Sequence, residues 1–541
     1  MRSKQEGNDV LKTIPRIMLA AGASGSGKTL LTCGLLQVLV NRRIKTVSFK
    51  CGPDYIDPMF HTQVIGTKSR NLDTFFTGEE ITRFLLAKNS ADCEMAVMEG
   101  VMGFYDGVAG TTTQASAYDL ARITDTPVIL IVNSKGMSVS LAAYIKGFME
   151  YKKDSRIKGV IFNQMSPMLY PRMKKLVEEE LGIKALGYVP KVEDCVIESR
   201  HLGLVLPEEI PELKQRLLKL ADGLEKSLDI EAIIQLAKEA PELSYEPLEE
   251  EKTRASIMAS EPEKCTQNSV ALSAAENTKQ SSLSSVKAVL KWKSSKKLRI
   301  GLAKDEAFCF FYEDNLDLLR AMGAELVPFS PIHDAHLPEN LDGLLLYGGY
   351  PELNTQALEE NKFMREEIAE AIKGGMPCLA ECGGFMYLHD QMEGMDGKFY
   401  QMTGVIPGKV WRTPKLTRFG YITLTQNEET VCSSEQAGDN LPKTANCQEL
   451  LGFDQKKKIQ VLGEAELGSS PAHEFHYFDS ENCGTAFHAS KPQSKRGWDC
   501  IHGSDRLLAG FPHLYYYANP KIPQAFLKKC LEYRLSGRSN D

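Results

Sequence analysis

The sequence predicts an α/β protein built from two doubly wound parallel-sheet domains. Three observations predict it: short β-rich runs alternate with helical stretches through the first half, a polar segment follows, and a second alternating series begins near Leu298. Such alternation builds parallel sheets, because parallel neighbours need a crossover connection that is usually helical. The chain has 541 residues, room for two to four domains at roughly 100–200 residues each.

Between Arg16 and about Ile234 the candidate strands are 44–49, 95–98, 127–132 and 159–162, preceded by the apolar run 17–21. This spacing predicts a first domain over 14–240. Residues 245–296 are dominated by Glu, Ser, Lys and Thr and hold almost no aromatic side chain between Glu246 and Trp292. Such a composition buries too little apolar surface to order itself, so a disordered linker is expected. The second series runs through 298–302, 324–329, 343–347 and 377–380, and predicts a domain over 297–535. A polar, irregular stretch at about 426–458 reads as a surface insertion. No internal repeat is evident.

The most informative segment is Gly22-Ala23-Ser24-Gly25-Ser26-Gly27-Lys28-Thr29, which fills the pattern G-x-x-x-x-G-K-[ST] directly after an apolar run. In such a loop Gly22, Gly25 and Gly27 let the backbone curl so that several N–H groups face one polyphosphate. Lys28 adds charge near the β- and γ-phosphates, and the Thr29 hydroxyl can ligate Mg²⁺. Helical apolar spacing over 30–39 completes the strand, loop and helix context. ATP and Mg²⁺ are the expected cosubstrate and cofactor.

A net charge of −7 leaves no global basic field for nucleic acid or an anionic membrane, so neither is an expected partner. Small molecules are. The N-terminal residues carry charges instead of a signal-type apolar core, and runs such as 127–132 are too short to span a bilayer. A cytoplasmic location is expected. The thirteen cysteines are scattered, odd in number and without C-x-x-C spacing, which argues for buried thiols over a disulfide framework or a zinc site.

A second chemical centre is indicated by Ala380-Glu381-Cys382-Gly383-Gly384-Phe385. A cysteine between a β-like run and a helical run, followed by glycines, has the layout of a nucleophile elbow, where a helix N-terminus favours the thiolate. Upstream, Gly348-Gly349-Tyr350-Pro351-Glu352 follows another apolar strand, and the Gly349 and Tyr350 backbone can present N–H groups to a developing oxyanion. A thiolate nucleophile needs a base. His513, in Gly510-Phe511-Pro512-His513, and the pair in His473-Glu474-Phe475-His476 are the candidates, and spacing alone does not choose between them.

Taken together, these segments resemble the cobyrinate a,c-diamide synthase family, glutamine-dependent amidating enzymes of the corrin pathway. The resemblance is carried by 22–29, 49–58, 98–103, 199–204, 348–352, Glu381-Cys382-Gly383-Gly384, 473–477 and the His513 segment, and covers nearly the whole chain except the linker and the insertion. It implies a P-loop NTPase-like N-terminal domain of the dethiobiotin-synthetase type and a class I glutamine amidotransferase-like, flavodoxin-like C-terminal domain. Cys382 is then the glutaminase nucleophile and His513 its partner. Class I domains usually carry an acid two positions after that histidine; Tyr515 stands there, so the resemblance implies a dyad.

By the same resemblance, ATP phosphorylates a carboxylate of cobyrinate and ammonia from glutamine displaces phosphate. Asp54 and Glu99, with Thr29, are expected to hold the metal. Asp57 and Tyr55 are expected to serve substrate or catalysis, and Lys50, Arg200 and His201 to meet carboxylates of the tetrapyrrole. Asn163 resembles the residue that reads the nucleotide base. Two rival readings share these motifs: Ni-sirohydrochlorin a,c-diamide synthesis for coenzyme F430, and a P-loop regulatory ATPase carrying a non-catalytic amidotransferase module.

Overall fold

The computed structural model describes residues 9–191, 210–248, 282–292, 297–431, 455–464 and 466–537. Arg200 and His201 lie outside the described residues, as do most of the 245–296 segment and residues 432–454 of the insertion. The chain divides into two compact units, residues 1–287 with 312–314, and residues 288–311 with 315–541.

The first unit is organised by a seven-stranded parallel sheet. Its strands are β1 (Arg16–Ala21), β2 (Thr46–Cys51), β3 (Lys68–Leu72), β4 (Met95–Glu99), β5 (Val128–Asn133), β6 (Ile157–Asn163) and β7 (Lys184–Val189). They lie in the order β3-β2-β4-β1-β5-β6-β7. β1, β2 and β4 are buried at every position, as expected of strands covered on both faces. Helix α1 (Lys28–Asn41) packs Leu31, Leu35, Leu36 and Leu39 onto Ile17, Leu19, Val97 and Ile129. The strands expected from sequence are present, each within two residues of its expected ends. β3 and β7 were not expected: Lys68-Ser-Arg-Asn-Leu is polar because it forms an edge strand, paired only with β2.

Two features extend this unit beyond the 14–240 span. Val10–Lys12 pairs antiparallel with Leu243–Tyr245, Val10 opposite Tyr245 and Lys12 opposite Leu243. Arg16, fully buried, donates to the carbonyls of Ile14, Thr124 and Pro241 at 2.8–3.1 Å. A buried guanidinium is tolerated only when its fan of donors is satisfied, and here backbone carbonyls satisfy it. Within the 245–296 segment, Leu283–Lys291 is an α-helix, a departure from uniformly irregular chain that its Leu283, Val286 and Val289 explain by burying one face.

In the second unit β8 (Leu298–Ala303), β9 (Ala324–Phe329), β10 (Gly343–Leu346), β11 (Cys378–Glu381) and β14 (Leu507–Gly510) form a parallel sheet in the order β9-β8-β10-β11-β14. His502–Gly503 adds an antiparallel edge to β14. The parallel-sheet reading did not include a second, antiparallel sheet in this unit. That sheet is built around β12 (Arg418–Gln426) and β13 (Ser470–His476), with β15 (His513–Leu514) pairing on β13. The insertion is closed by an antiparallel pair, Glu428–Val431 with Gln455–Lys458. Among the described residues no helix is long and apolar enough to cross a membrane, and the nine cysteines there are free, six of them buried.

Candidate functional site

The glycine-rich loop joins β1 to α1, at the carboxyl edge where open parallel sheets place ligands. Gly27 adopts φ 92°, a left-handed conformation, and a Cβ there would stand 2.4 Å from Asn163 Nδ2. Glycine is therefore required on both counts. Lys28 is 8% exposed, and its ammonium donates to the carbonyls of Ala23 at 3.1 Å and Met102 at 2.5 Å. Burial, then the neighbouring Lys50 charge, lowers its pKa, so an anion beside it meets a poorly solvated cation.

β2 and β4 lie side by side with Lys50 opposite Glu99, which brings the acidic residues of two distant segments together. Thr29 Oγ1 donates to Glu99 Oε1 at 2.7 Å. Lys50 Nζ lies 2.8 Å from the same oxygen, 3.6 Å from Asp54 Oδ2, and bonds Asp57 Oδ2. Asp54 Oδ1 accepts from the Ile56 N–H at 2.8 Å and the Asp57 N–H at 3.3 Å, at the start of the short helix Ile56–Phe60. Tyr55 is buried. Burial is the first cause that raises the Asp54 and Asp57 carboxyls, and each is pushed further by a neighbouring carboxylate. Against the pull of burial, Glu99 first and then Asp57 and Asp54 hold Lys50 well above its usual value.

One expectation needs correction here. Lys50 does not face outward to meet a tetrapyrrole carboxylate; it is 5% exposed and neutralises Asp57 and Glu99 within the protein. Asn163 Nδ2 is occupied by the Ser26 carbonyl at 2.9 Å and Oδ1 by the Gln164 N–H at 3.0 Å. The side chain therefore braces the phosphate loop, with one amide N–H and one oxygen lone pair left over for a base. His61, which sequence reasoning missed, is fully buried between Ser48 Oγ at 3.1 Å and Glu99 Oε2 at 3.9 Å, and burial lowers its pKa to about 3. Its signal was weak, a lone histidine in a short helical turn.

In the second unit Cys382 sits between β11 and the one-turn helix Gly383–Tyr387, at φ 47° and ψ −104°. A non-glycine residue in that region is strained and persists only where its surroundings over-determine it. They do so here. The Cys382 N–H donates to Gly510 O at 2.8 Å, and the Gly384 N–H donates to Tyr347 O at 3.0 Å. A Cβ on Gly384 would fall 1.9 Å from Leu346 O, so the turn can approach β10 only with glycine there. Burial is the first cause that pushes the thiol up, and the Glu352 charge is the second; the Gly383 N–H, directed at the sulfur, opposes both. Glu352 Oε2 is itself buried without a hydrogen bond, and burial raises its carboxyl to about 7.

The three histidines take different positions around the elbow. A Cβ built on Gly348 would lie 2.7 Å from His513 Cε1 and 3.4 Å from Cys382 Cβ, so the imidazole and the nucleophile flank one glycine. His473 lies opposite His513 in the β13–β15 pair and stacks on it, ring centroids 4.9 Å apart. His476 stacks instead on Phe511 at 4.0 Å. Burial lowers the His513 pKa to about 3, with the His476 charge adding to it; His473 is lowered for the same first reason. Asn315 fixes the segment after His513, donating to Leu514 O and accepting from the Tyr516 N–H, both at 2.8 Å.

The expected oxyanion pair is also corrected. The Tyr350 N–H already donates to Ala307 O at 2.9 Å. The Gly383 N–H is the donor directed at the Cys382 sulfur, and a Cβ on Gly383 would lie 3.1 Å from the Gly349 nitrogen. Sequence reasoning missed Gly383, although the residue after the nucleophile supplies an N–H in elbows of this type.

Comparison with known proteins identifies both domains. Residues 17–204 match the CobQ/CobB/MinD/ParA nucleotide binding domain, and residues 299–514 the CobB/CobQ-like glutamine amidotransferase domain. A nucleotide-binding domain of this kind joined to a glutamine amidotransferase domain defines a glutamine-dependent amidating ligase. The cobyrinate a,c-diamide synthase of Caldanaerobacter subterraneus subsp. tengcongensis is 34% identical, over 95% of this chain and 98% of its own. Those of Listeria innocua and Priestia megaterium are 34% and 33% identical, over 94% and 95% of this chain and 97% of each of theirs. The chain belongs to the cobyrinate a,c-diamide synthase family.

Proposed function

We propose that the chain amidates the a and c side-chain carboxylates of cobyrinate in cobalamin biosynthesis, with ATP activating each carboxylate and glutamine donating the nitrogen. The observation that carries this reading is the Cys382 elbow, a buried thiol at positive φ with the Gly383 N–H at its sulfur and His513 across Gly348. The names of the relatives support the choice of cobyrinate. The phosphate loop supports ATP.

In the amidotransferase site His513 takes the thiol proton and the Cys382 sulfur attacks the glutamine carboxamide. The Gly349 and Gly383 N–H groups hold the oxyanion while the C–N bond breaks. His513 returns the proton to the departing nitrogen, leaving a thioester that water hydrolyses to glutamate. In the synthetase site Gly22, Gly25 and Gly27 shape the cradle for the triphosphate, and Lys28 draws charge from the oxygens of the transferring phosphoryl group. The hydroxyl of Thr29 and the carboxylate of Glu99, whose Oε2 is buried without a hydrogen bond, are hard oxygen donors that fit Mg²⁺, with Asp54 beside them. When bound, the ion would neutralise phosphate oxygens. The acyl phosphate so formed makes the carboxylate an electrophile, and ammonia displaces phosphate to give the amide. Ammonia must reach the acyl phosphate unprotonated to act as the nucleophile, and a cytoplasmic setting is part of the proposal.

The test is mass spectrometry of the macrocycle after incubation with ATP and amide-¹⁵N glutamine. Two heavy nitrogens per product are expected; a product with unlabelled amides would refute the reading. Parallel incubations with cobyrinate and Ni-sirohydrochlorin decide the macrocycle. A regulatory ATPase with an inert amidotransferase module would instead keep its output in Cys382→Ser.

A further inference from the structure

Glu381 ends β11 and immediately precedes the elbow. It is 2% exposed, in a strand flanked by β10 and β14, with Gly510 of β14 as its register partner. A carboxyl group in such surroundings costs several kcal/mol unless its neighbours compensate. One neighbour is the backbone of β15: Oε2 accepts from the Leu514 N–H at 3.3 Å. The other is His513, whose Nδ1 lies 3.7 Å from the same oxygen, both side chains being at most 3% exposed. A Cβ built on Gly348 would lie 2.7 Å from Cε1 of the same ring and 3.4 Å from Cys382 Cβ, so the imidazole has the carboxyl group at Nδ1 and the nucleophile close by, across one glycine.

The backbone contact alone does not explain the residue. Asn315 already grips this segment at Leu514 O and Tyr516 N, 2.8 Å each, with neutral groups. Position 515, two residues after the histidine, holds a buried tyrosine that brings no charge. Glu381 supplies a carboxyl group on the Nδ1 side by another route, from the residue before the nucleophile.

We propose that Glu381 is a positioning residue for the glutaminase reaction: it orients His513 through Nδ1 and balances the charge the ring gains from Cys382. The proposal rests on the glutaminase reading above. When the S–H bond breaks, the electron pair stays on sulfur and the proton goes to His513 Nε2, so the ring becomes an imidazolium whose Nδ1–H faces Glu381 Oε2. The same proton then leaves with the amide nitrogen as the C–N bond breaks, and the ring returns to neutral. A separation of 3.7 Å shortens as charge develops, since catalytic hydrogen bonds are often long in the unliganded state and tighten in the reacting complex. Burial pushes the Glu381 carboxyl well up and the His513 imidazole down to about 3, and each charged form relieves the cost of the other when they are adjacent.

Glu381→Gln separates the two roles, because its amide oxygen still accepts from the Leu514 N–H but carries no charge. The expected result is a fall of about 10⁴-fold in glutaminase kcat, the loss when the acid behind a catalytic histidine becomes an amide. The KM for glutamine stays within about threefold, the pH profile of kcat shifts, and amidation driven by added ammonium salt is retained. A variant with the kcat and pH profile of the parent would overturn the proposal and leave Glu381 a backbone cap. Should the variant not fold, ¹⁵N-imidazole NMR of the parent protein decides: an Nδ1-protonated His513 is expected, and an Nε2-protonated tautomer refutes the role. Failure of the glutaminase reading shows separately, as glutamine-dependent amidation that survives Cys382→Ser.

Discussion

Lys50→Met tests whether the ammonium at the head of β2 is an internal counter-ion. In the parent it is buried with Glu99 Oε1 at 2.8 Å and Asp57 in direct contact, so its removal leaves carboxylates that are 0% and 6% exposed without their cation. Breaking a buried pair from one side costs about 3–5 kcal/mol, which for a domain of roughly 150–250 residues corresponds to a loss of roughly 6–20 °C in melting temperature. The pH dependence gives a second check. The folded Lys50 pKa is raised above its usual 10.5, so its contribution is fully present below pH 10.5 and is lost as pH climbs through the folded value. In the variant the burial that already raises Asp54 and Asp57 is no longer opposed, so the folded state binds more protons than the unfolded one and stability increases as pH falls. Differential scanning calorimetry at pH 5, 7 and 9, following the transition of the first unit, measures both. A variant within 2 °C of the parent at pH 7, with no gain toward pH 5, would show that Lys50 is not the counter-ion of this cluster. Adding Asp57→Asn should recover part of the loss.

Cys382→Ser should abolish glutamine-dependent amidation and keep turnover with ammonium salt, measured by product mass. Gly384→Ala should lower the melting temperature of the second unit and its glutaminase rate together, because the added methyl meets Leu346 O at 1.9 Å and relief requires the elbow to shift. Overpacking of this kind costs about 1–3 kcal/mol, and an unchanged melting curve would contradict the geometry. His389 is buried, bonded to Phe385 O at 3.0 Å and Ser480 Oγ at 2.7 Å, and burial lowers its pKa to about 4. With a depressed folded pKa, stability falls as pH drops from 6.5 toward 4, and His389→Gln should reduce that slope by about 1.4 kcal/mol per pH unit in urea titrations.

Much of this was legible in the sequence where the determinants are local. The phosphate loop is contiguous and its residue types are fixed by backbone geometry, so 22–29 located α1 and the β1 edge without further help. Fully buried parallel strands are apolar throughout, and for that reason 127–132 and 343–347 were found within a residue or two. β3 escaped because an edge strand tolerates Lys68, Ser69, Arg70 and Asn71, and β12 because a half-exposed strand such as Arg418–Gln426 carries no continuous apolar run. The chemistry was harder to read wherever it depends on register. That Lys50 stands opposite Glu99, and not at the surface, follows from the pairing of β2 with β4 across 49 residues of chain. His513 and His473 are likewise equivalent by spacing and are told apart only by which of them shares Gly348 with Cys382. The Tyr350 N–H looked available because its acceptor, Ala307, lies 43 residues upstream.

The pairing of Val10–Lys12 with Leu243–Tyr245 has a practical side. A fragment cut at 14 and 240 discards both partners of that ladder and the Pro241 carbonyl that receives Arg16, so it leaves a donor of a buried guanidinium without its acceptor. A fragment spanning 10–245 leaves with its first and last residues abreast, about 5 Å apart as in any antiparallel ladder. A short peptide can then bridge them, giving a permuted chain whose new ends are opened elsewhere while the phosphate cradle keeps its framework.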